Sequence, residues 1–377
     1  MKFYLIAGEP SGDALGAALM AGLKQLDLDV EFHGVGGPLM QAQGLVSQFD
    51  MDELSVMGIA EVLPKYRALK RRIKQCAEAV LQMNPDALIT IDSPDFCLRV
   101  AKLVKAGSDT RTIHYVAPSV WAWRPGRADK MAQMIDHVLA LLPFEPPLMQ
   151  AAGMTCDFVG HPVVSEVQAT PDQTADFRAR HGIDAAPMLL VLPGSRKGEV
   201  ERLAPIFGQT IARLLEQRPD LRIVVPAAGA VAGRVKELIS DWAGAPIVIQ
   251  SADRPEKLAA FGAADMALAA SGTVSLELAA ASTPMVIAYD MNWLSRILIK
   301  RMLKTDTVTL VNLVSETRVV PEFLGAQCVP ENIAAGVLAA LDNPDDQQGA
   351  MDLTMQRLGR GDEAPGLRAA RSVLGAL

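Results

Sequence analysis

From its second residue the chain alternates short, almost unbroken apolar runs with longer stretches whose leucines recur at helical spacing. That alternation restricts it to parallel sheets covered by helices on both faces. Residues 2–7 read as a buried strand, and Leu15, Leu19, Leu23 and Leu26 then follow one helical face. Further strands are expected over 30–35, 87–91, 112–116 and 137–142, each followed by a loop and a helix. The rhythm pauses after Gly160, where Pro162 and Pro171 bracket a linker with a hinge near 162–173. It resumes with strands expected over 188–192, 221–225, 247–250, 266–269 and 284–289. The expectation is an α/β protein of two domains, 1–165 and 166–345, followed by a polar helical tail over 346–377. A length of 377 residues agrees, since single cores stop growing at about 250–300 residues.

Half of the residues are apolar and 21% are charged, which excludes wholesale disorder. The net charge of -7 argues against a general nucleic-acid binder. Cys76, Cys97, Cys156 and Cys328 stand far apart with no CxxC pair, so neither a disulfide scaffold nor a zinc ribbon is expected. The first apolar stretch, residues 3–7, is shorter than the roughly 7–15 residues of a signal peptide core. No uncharged apolar run reaches the roughly 18 residues of a membrane span. The expectation is a cytosolic protein, or one resting on a membrane without crossing it.

Open α/β sheets bind ligands outside the carboxyl ends of their strands, so the loops after the strands carry the functional reading. The first contains Gly8, Glu9, Ser11, Gly12 and Asp13, and Ser11 or Asp13 is also suited to cap the following helix. It is not the GxGxxG fingerprint, so a dinucleotide cofactor is not expected, nor is any other cofactor. The second places Asp92 at the end of an apolar strand. A carboxylate there is costly unless hydrogen-bonded or functional, and it suits a general base acting on a hydroxyl. Asp95 reads as a helix cap. The third gathers Trp121 and Trp123, two of only four tryptophans, beside Arg124 and Arg127. Indole faces bind sugars and acyl chains and arginines fork onto phosphate, while Trp121 alone also reads as loop packing.

In the second half, Gly194, Ser195, Arg196 and Lys197 follow a strand and open a helix, a phosphate-binding arrangement without the Walker pattern. Backbone amides from Ser271 through Gly272 to Thr273 are suited to a diphosphate, and Glu277, one turn on, to the ribose hydroxyls. The histidines, His33, His114, His137, His161 and His181, lack metal-ligand spacing. The Asp27/Asp29 and Asp50/Asp52 pairs match the DxD metal motif only superficially, and no metal is expected.

One stretch is basic against the acidic background: between Glu61 and Lys130, 13 Lys or Arg stand against 7 Asp or Glu. At and just before its start, Val56, Ile59, Val62, Leu63, Tyr66 and Leu69 lie among Lys65, Arg67, Lys70, Arg71, Arg72 and Lys74. That is the pattern of a helix on an anionic lipid surface, or of a solvated face over the core, and Pro64 is expected to interrupt it. Residues 291–304 repeat the theme.

In these motifs, taken in order along nearly the whole chain, the sequence resembles the lipid-A-disaccharide synthase family. The resemblance is carried by Gly8 to Asp13, Glu53-Leu-Ser-Val-Met-Gly-Ile, Asp92-Ser-Pro-Asp-Phe and His114-Tyr-Val-Ala-Pro-Ser-Val-Trp-Ala-Trp-Arg. It continues through Phe158-Val-Gly-His, the Arg196 loop, Ala270 to Glu277 and Lys304-Thr-Asp. It implies a GT-B fold, two Rossmann-like doubly wound domains facing a cleft. The implied activity joins UDP-2,3-diacylglucosamine to 2,3-diacylglucosamine 1-phosphate, giving a β-1,6 disaccharide 1-phosphate and UDP with inversion and no metal. It also implies a homodimer with exchanged carboxyl-terminal parts, working on the cytoplasmic face of the inner membrane. Asp92 is then the base and Arg196 a diphosphate ligand. Asn312 lines the UDP site, though Val311 stands where family members commonly carry proline, and Glu322 is a further candidate there. Arg124 or Arg127 is suited to the acceptor phosphate. The rival readings are a UDP-N-acetylglucosamine epimerase or peptidoglycan-precursor transferase of the same fold, and a non-catalytic lipid-surface scaffold.

Overall fold

The computed structural model describes residues 1–26, 29–54, 59–122, 126–290 and 305–377, with backbone alone over 59–66 and at 230. The chain forms two compact units. One is Met1–Ser165 with Leu358–Leu377, and the other is Glu166–Arg357.

The first unit holds β1 (Lys2–Ala7), β2 (Glu31–Val35), β3 (Val46–Ser47), β4 (Ala87–Ile91), β5 (Arg111–Tyr115), β6 (His137–Ala140) and β7 (Thr155–Phe158). They pair in the order β3-β2-β1-β4-β5-β6-β7, parallel throughout. Alternate residues of β1 face opposite layers, as the pleat requires. Phe3, Leu5 and Ala7 join Leu15, Leu19 and Leu23 of α1 (Pro10–Gln25). Tyr4 and Ile6 join Ile73 and Val80 of α3 (Ile59–Met83) and Val100 of α4 (Pro94–Gly107). The short α2 (Pro38–Ala42), α5 (Gly126–Met131) and α6 (Pro146–Ala151) complete the crossovers. The helix α3 runs unbroken through Pro64, contrary to the expected interruption. Its later turns are fixed by buried Ile73, Cys76, Ala77 and Val80 and by Arg72, which forks onto Glu53 at 2.6 and 2.9 Å.

The second unit holds β8 (Met188–Leu192), β9 (Arg222–Ala227), β10 (Ile247–Gln250), β11 (Met266–Ala269), β12 (Met285–Tyr289) and β13 (Glu322–Leu324) in the order β10-β9-β8-β11-β12-β13. Around this parallel sheet lie α7 (Pro171–Arg180), α8 (Lys197–Gln217), α9 (Ala232–Ile239), α10 (Arg254–Ala263), α11 (Val274–Ala280), α12 (Leu310–Ser315), α13 (Pro330–Asp342) and α14 (Gln348–Arg357).

The stretch expected as one tail over 346–377 is shared instead between the units. Met351, Thr354 and Met355 of α14 are buried in the second, whereas α15 (Pro365–Gly375) lies on α1 of the first. Small residues make that crossing close. A Cβ on Gly22 would stand 2.6 Å from the Gly366 carbonyl oxygen, so only glycine fits. Ala369, Ala370 and Val373 are fully buried there, and Arg368 donates to the Phe158 carbonyl at 2.9 Å. Among the described residues no helix is long and apolar enough to cross a membrane. The second basic segment, 291–304, lies outside the described residues.

Candidate active site

In the first sheet the strand order reverses direction between β1 and β4, the position where a doubly wound sheet opens a crevice at its carboxyl edge. The loops bordering that position carry Glu9 on one side and Asp92 with Ser93 on the other. Their approach depends on Gly8, since a Cβ there would stand 2.7 Å from the Ser93 hydroxyl oxygen. Asp92 is half-buried, and its amide donates to the Tyr115 carbonyl at 3.0 Å. Both Asp92 and Ser93 adopt left-handed backbone, with φ of 51° and 42°, and Val116 at the end of β5 has φ of 87°. Such conformations cost about 1–3 kcal/mol each and persist only where the surroundings enforce them. Phe96 and Cys97 enforce this one by donating to the Ser93 carbonyl at 3.1 and 3.0 Å. Under the site, His114 meets Thr90 at 2.7 Å, and burial pushes its imidazole down to about 4, so it stands neutral.

The other residues of the first loop divide by burial. Ser11 is exposed, Gly12 is buried against Ala7 and Ile91, and Asp13 is 2% exposed. Asp13, expected at a ligand or as the cap of its own helix, does not cap that helix. Its carboxylate accepts from the amides of Gly37, Leu39 and Met40 at 2.9–3.0 Å and caps α2.

Trp121 is half-buried, with its ring edge-on to Phe144 at a centroid distance of 5.5 Å. Beside it Glu145 is 4% exposed and accepts from the Leu142 amide at 3.0 Å. Burial outweighs that amide and the nearby indole and pushes the Glu145 carboxyl up to about 7. The folded state therefore binds the proton more tightly than the unfolded chain. Stability is full below the ordinary carboxyl range and falls as pH rises toward 7, by on the order of 3 kcal/mol. Glu145→Gln should flatten that slope and be the more stable protein at pH 8. Urea unfolding at pH 5 and pH 8 checks it, and parallel pH curves for the two proteins would refute it. Trp123 and Arg124 lie outside the described residues.

The second sheet reverses between β8 and β11, and both glycine loops stand at that position. After β8, Ser195 and Arg196 are exposed, and their amides donate to Glu199 of the first turn of α8 at 3.3 Å each. The Arg196 guanidinium lies 3.5 Å from the same carboxylate. Glu199 thus occupies amides expected to be open to phosphate, a competition its position three residues into the helix could have signalled. It also bears on Tyr289 at the end of β12, whose phenol is raised by burial first and by the Glu199 charge next.

After β11, Ser271 is half-buried and Gly272 and Thr273 are exposed, and their amides have no acceptor among the described residues. Glu277 is ion-paired with Lys257 of α10, a partner absent from the sequence reading. Asn312 and Glu322 differ most from expectation. Asn312 is 1% exposed, donates to the Val320 carbonyl at 2.9 Å and accepts from the Val320 amide at 3.1 Å. Glu322 accepts from the amides of Val308 and Thr309 at 2.9 and 2.7 Å. Asn312 braces the chain between Thr307 and Val320, and Glu322 braces it through one oxygen, Oε1.

Two parallel-sheet units, each with polar loops at its reversal point, define a Rossmann-like pair of the GT-B class, the architecture of glycosyltransferases that use nucleotide sugars. Solved structures share it. The chain resembles UDP-GlcNAc 2-epimerase from Neisseria meningitidis, bound to UDP-GlcNAc, with a TM-score of 0.66 at 11% identity over 100% of this chain and 99% of that one, a likeness of fold. The family model for Lipid-A-disaccharide synthetase matches residues 3–365. Lipid-A-disaccharide synthase of Ruegeria pomeroyi is 64% identical over 99% of this chain and 95% of its own length. That of Rhodospirillum centenum is 48% identical over 99% and 94%. The chain belongs to the lipid-A-disaccharide synthase family and is a glycosyltransferase of lipid A biosynthesis.

Proposed function

We propose that this enzyme transfers 2,3-diacylglucosamine from its UDP derivative to the 6-hydroxyl of 2,3-diacylglucosamine 1-phosphate, with inversion and without a metal step. The observation that carries the reading is Asp92, a half-buried carboxylate held in left-handed backbone at the reversal point of the first sheet. The acceptor oxygen attacks C1 of the donor sugar as its proton passes to Asp92. The bond from C1 to the diphosphate breaks with its electron pair on UDP, and the β-1,6 linkage forms. Charge growing on the diphosphate is met by Arg196 and by the amides of Ser271 to Thr273, donors that are already oriented. Glu277, with Lys257 beside it, takes the ribose. Asn312 and Glu322 act on the nucleotide through the loop they brace.

The acylated substrates call for contact with a lipid surface, on the cytoplasmic face of the inner membrane. The exposed Arg67 and Arg71 of α3 are suited to it. A homodimer with exchanged carboxyl-terminal parts is part of the same proposal.

The test is to mix the purified protein with both acylated substrates and a chelator and follow disaccharide 1-phosphate and UDP. A β anomeric signal with equal UDP release supports the proposal. Absence of disaccharide, or conversion of UDP-N-acetylglucosamine with no acceptor, overturns it. Arg196→Ala should weaken UDP binding by roughly 10- to 100-fold, matching the 1.5–3 kcal/mol of a charged hydrogen bond. Unchanged UDP affinity by calorimetry would move the diphosphate off Arg196.

A further inference from the structure

Beside Asp92 the first unit contains a cavity of about 370 Å³ that the transfer step does not use. Its lining includes Glu9 and Ser93, from the two loops that border the same reversal point as the proposed base. Its apolar walls are Leu54, Leu69, Ile73 and Phe96, and Lys70 of α3 and Arg99 of α4 are its cations. Asp95 also borders it, an exposed acid in the first turn of α4 where the helix dipole favours a carboxylate. Neither Lys70 nor Arg99 has an ion-pair or hydrogen-bond partner among the described residues. Of the other cations on these two helices, Arg72 is occupied by Glu53, Lys74 by Glu78 and Lys105 by Asp136, whereas Arg67, Arg71 and Lys102 also have no ion-pair or hydrogen-bond partner among the described residues and do not line this cavity.

The combination of groups lining the cavity matches one kind of molecule. The Glu9 carboxylate and the Ser93 hydroxyl suit sugar hydroxyls, the apolar residues suit an acyl chain, and the two cations, unpaired among the described residues, suit a phosphate. Arg99 lies five residues into α4 from Pro94, about 7.5 Å along the helix axis. The width of the cation pair comes from two different helices, and Arg72 on Glu53 fixes one of them against the loop that carries Leu54.

We propose that this cavity is the acceptor subsite, in which Lys70 and Arg99 hold the 1-phosphate of the acylated sugar and Leu54, Leu69 and Ile73 receive an acyl chain. The assignment rests on the transfer reading above and adds the residues that select a phosphorylated acceptor. A second basic pocket of about 250 Å³ adjoins it through Arg99 and is lined by Lys102, Arg127 and Lys130. It is the competing location for the phosphate. It lies further from Glu9 and Ser93, neither of which lines it.

The experiment measures initial rates in neutral detergent, free of anionic lipid, with two acceptors: the acylated glucosamine 1-phosphate and the same sugar without its phosphate. Arg99→Gln and Lys70→Gln should each raise the acceptor KM about tenfold or more while the donor KM stays unchanged. The double variant should lose most of the wild-type preference for the phosphorylated acceptor, a readout that a general loss of structure would not move. Lys102→Ala should behave as wild type. Retention of the preference by the double variant overturns the proposal, as does its loss in Arg127→Ala in place of the two named residues. Failure of the wild-type protein to form any disaccharide would overturn the transfer reading itself and is told apart on that ground. Addition of phosphatidylglycerol vesicles should leave the acceptor preference intact; competition by the vesicles for the same two cations would assign them to a lipid headgroup and overturn the proposal.

Discussion

Asp92→Asn should lower the turnover number by roughly 10²- to 10⁴-fold, the contribution of a positioned general base, while UDP binds as before. Asparagine is the informative replacement because it keeps the side-chain volume and tolerates left-handed backbone, which alanine does less readily. The turn would keep its supports, the Asp92 amide on Tyr115 and the Phe96 and Cys97 amides on Ser93, at 3.0–3.1 Å. Only the capacity to take a proton is removed. UDP affinity is expected to hold because the loops assigned to the diphosphate belong to the other unit. Rapid-quench turnover measured beside UDP calorimetry separates the two effects. A variant within tenfold of wild type would exclude Asp92 as the base and turn attention to Glu9, the other carboxylate at the same reversal point. Equal loss of turnover and of UDP affinity would instead mean that the substitution disturbs more than a proton acceptor.

The positions of Asp92 and Arg196 were legible because a parallel sheet writes its strands as nearly continuous apolar runs. Once β1, β4, β8 and β11 are read, the loops at their carboxyl ends follow, and with them the residues suited to chemistry. The strands missed are β3, β7 and β13, each at an edge of its sheet. Edge strands are short and partly solvated, so Thr155, Asp157 and Glu322 interrupt the apolar signal there. What the sequence could not convey is which polar side chains are already occupied. Asp13 meets amides 24–27 residues away. Glu277 meets Lys257, and Asn312 meets Val320 through a turn whose closure no spacing rule encodes. The same reason hid that Lys70 and Arg99 have no partner among the described residues. Arg72 carries the same charge on the same helix as Lys70, and only the fold shows which of the two is spent.

Asp13 gives the sharpest stability expectation, and it separates a structural carboxylate from a substrate ligand. It is 2% exposed and accepts three amides at 2.9–3.0 Å, all at the start of α2. Those amides have no partner inside so short a helix, so the carboxylate both satisfies them and meets the positive end of the helix dipole. Removing it in Asp13→Ala leaves buried donors unmet, for a loss of about 3–5 kcal/mol. Apparent Tm should fall by roughly 10 °C. Asp13→Asn should fall between the two. Its one oxygen can still accept from Gly37 and Met40, but its NH2 would oppose the Leu39 amide. The folded fraction of either variant should keep wild-type KM values for both substrates, since no ligand contact is lost. Thermal unfolding with steady-state kinetics at a permissive temperature decides it. A normal Tm with a raised KM would return Asp13 to the substrate, and the exposed Ser11 beside it would then be the next residue to replace.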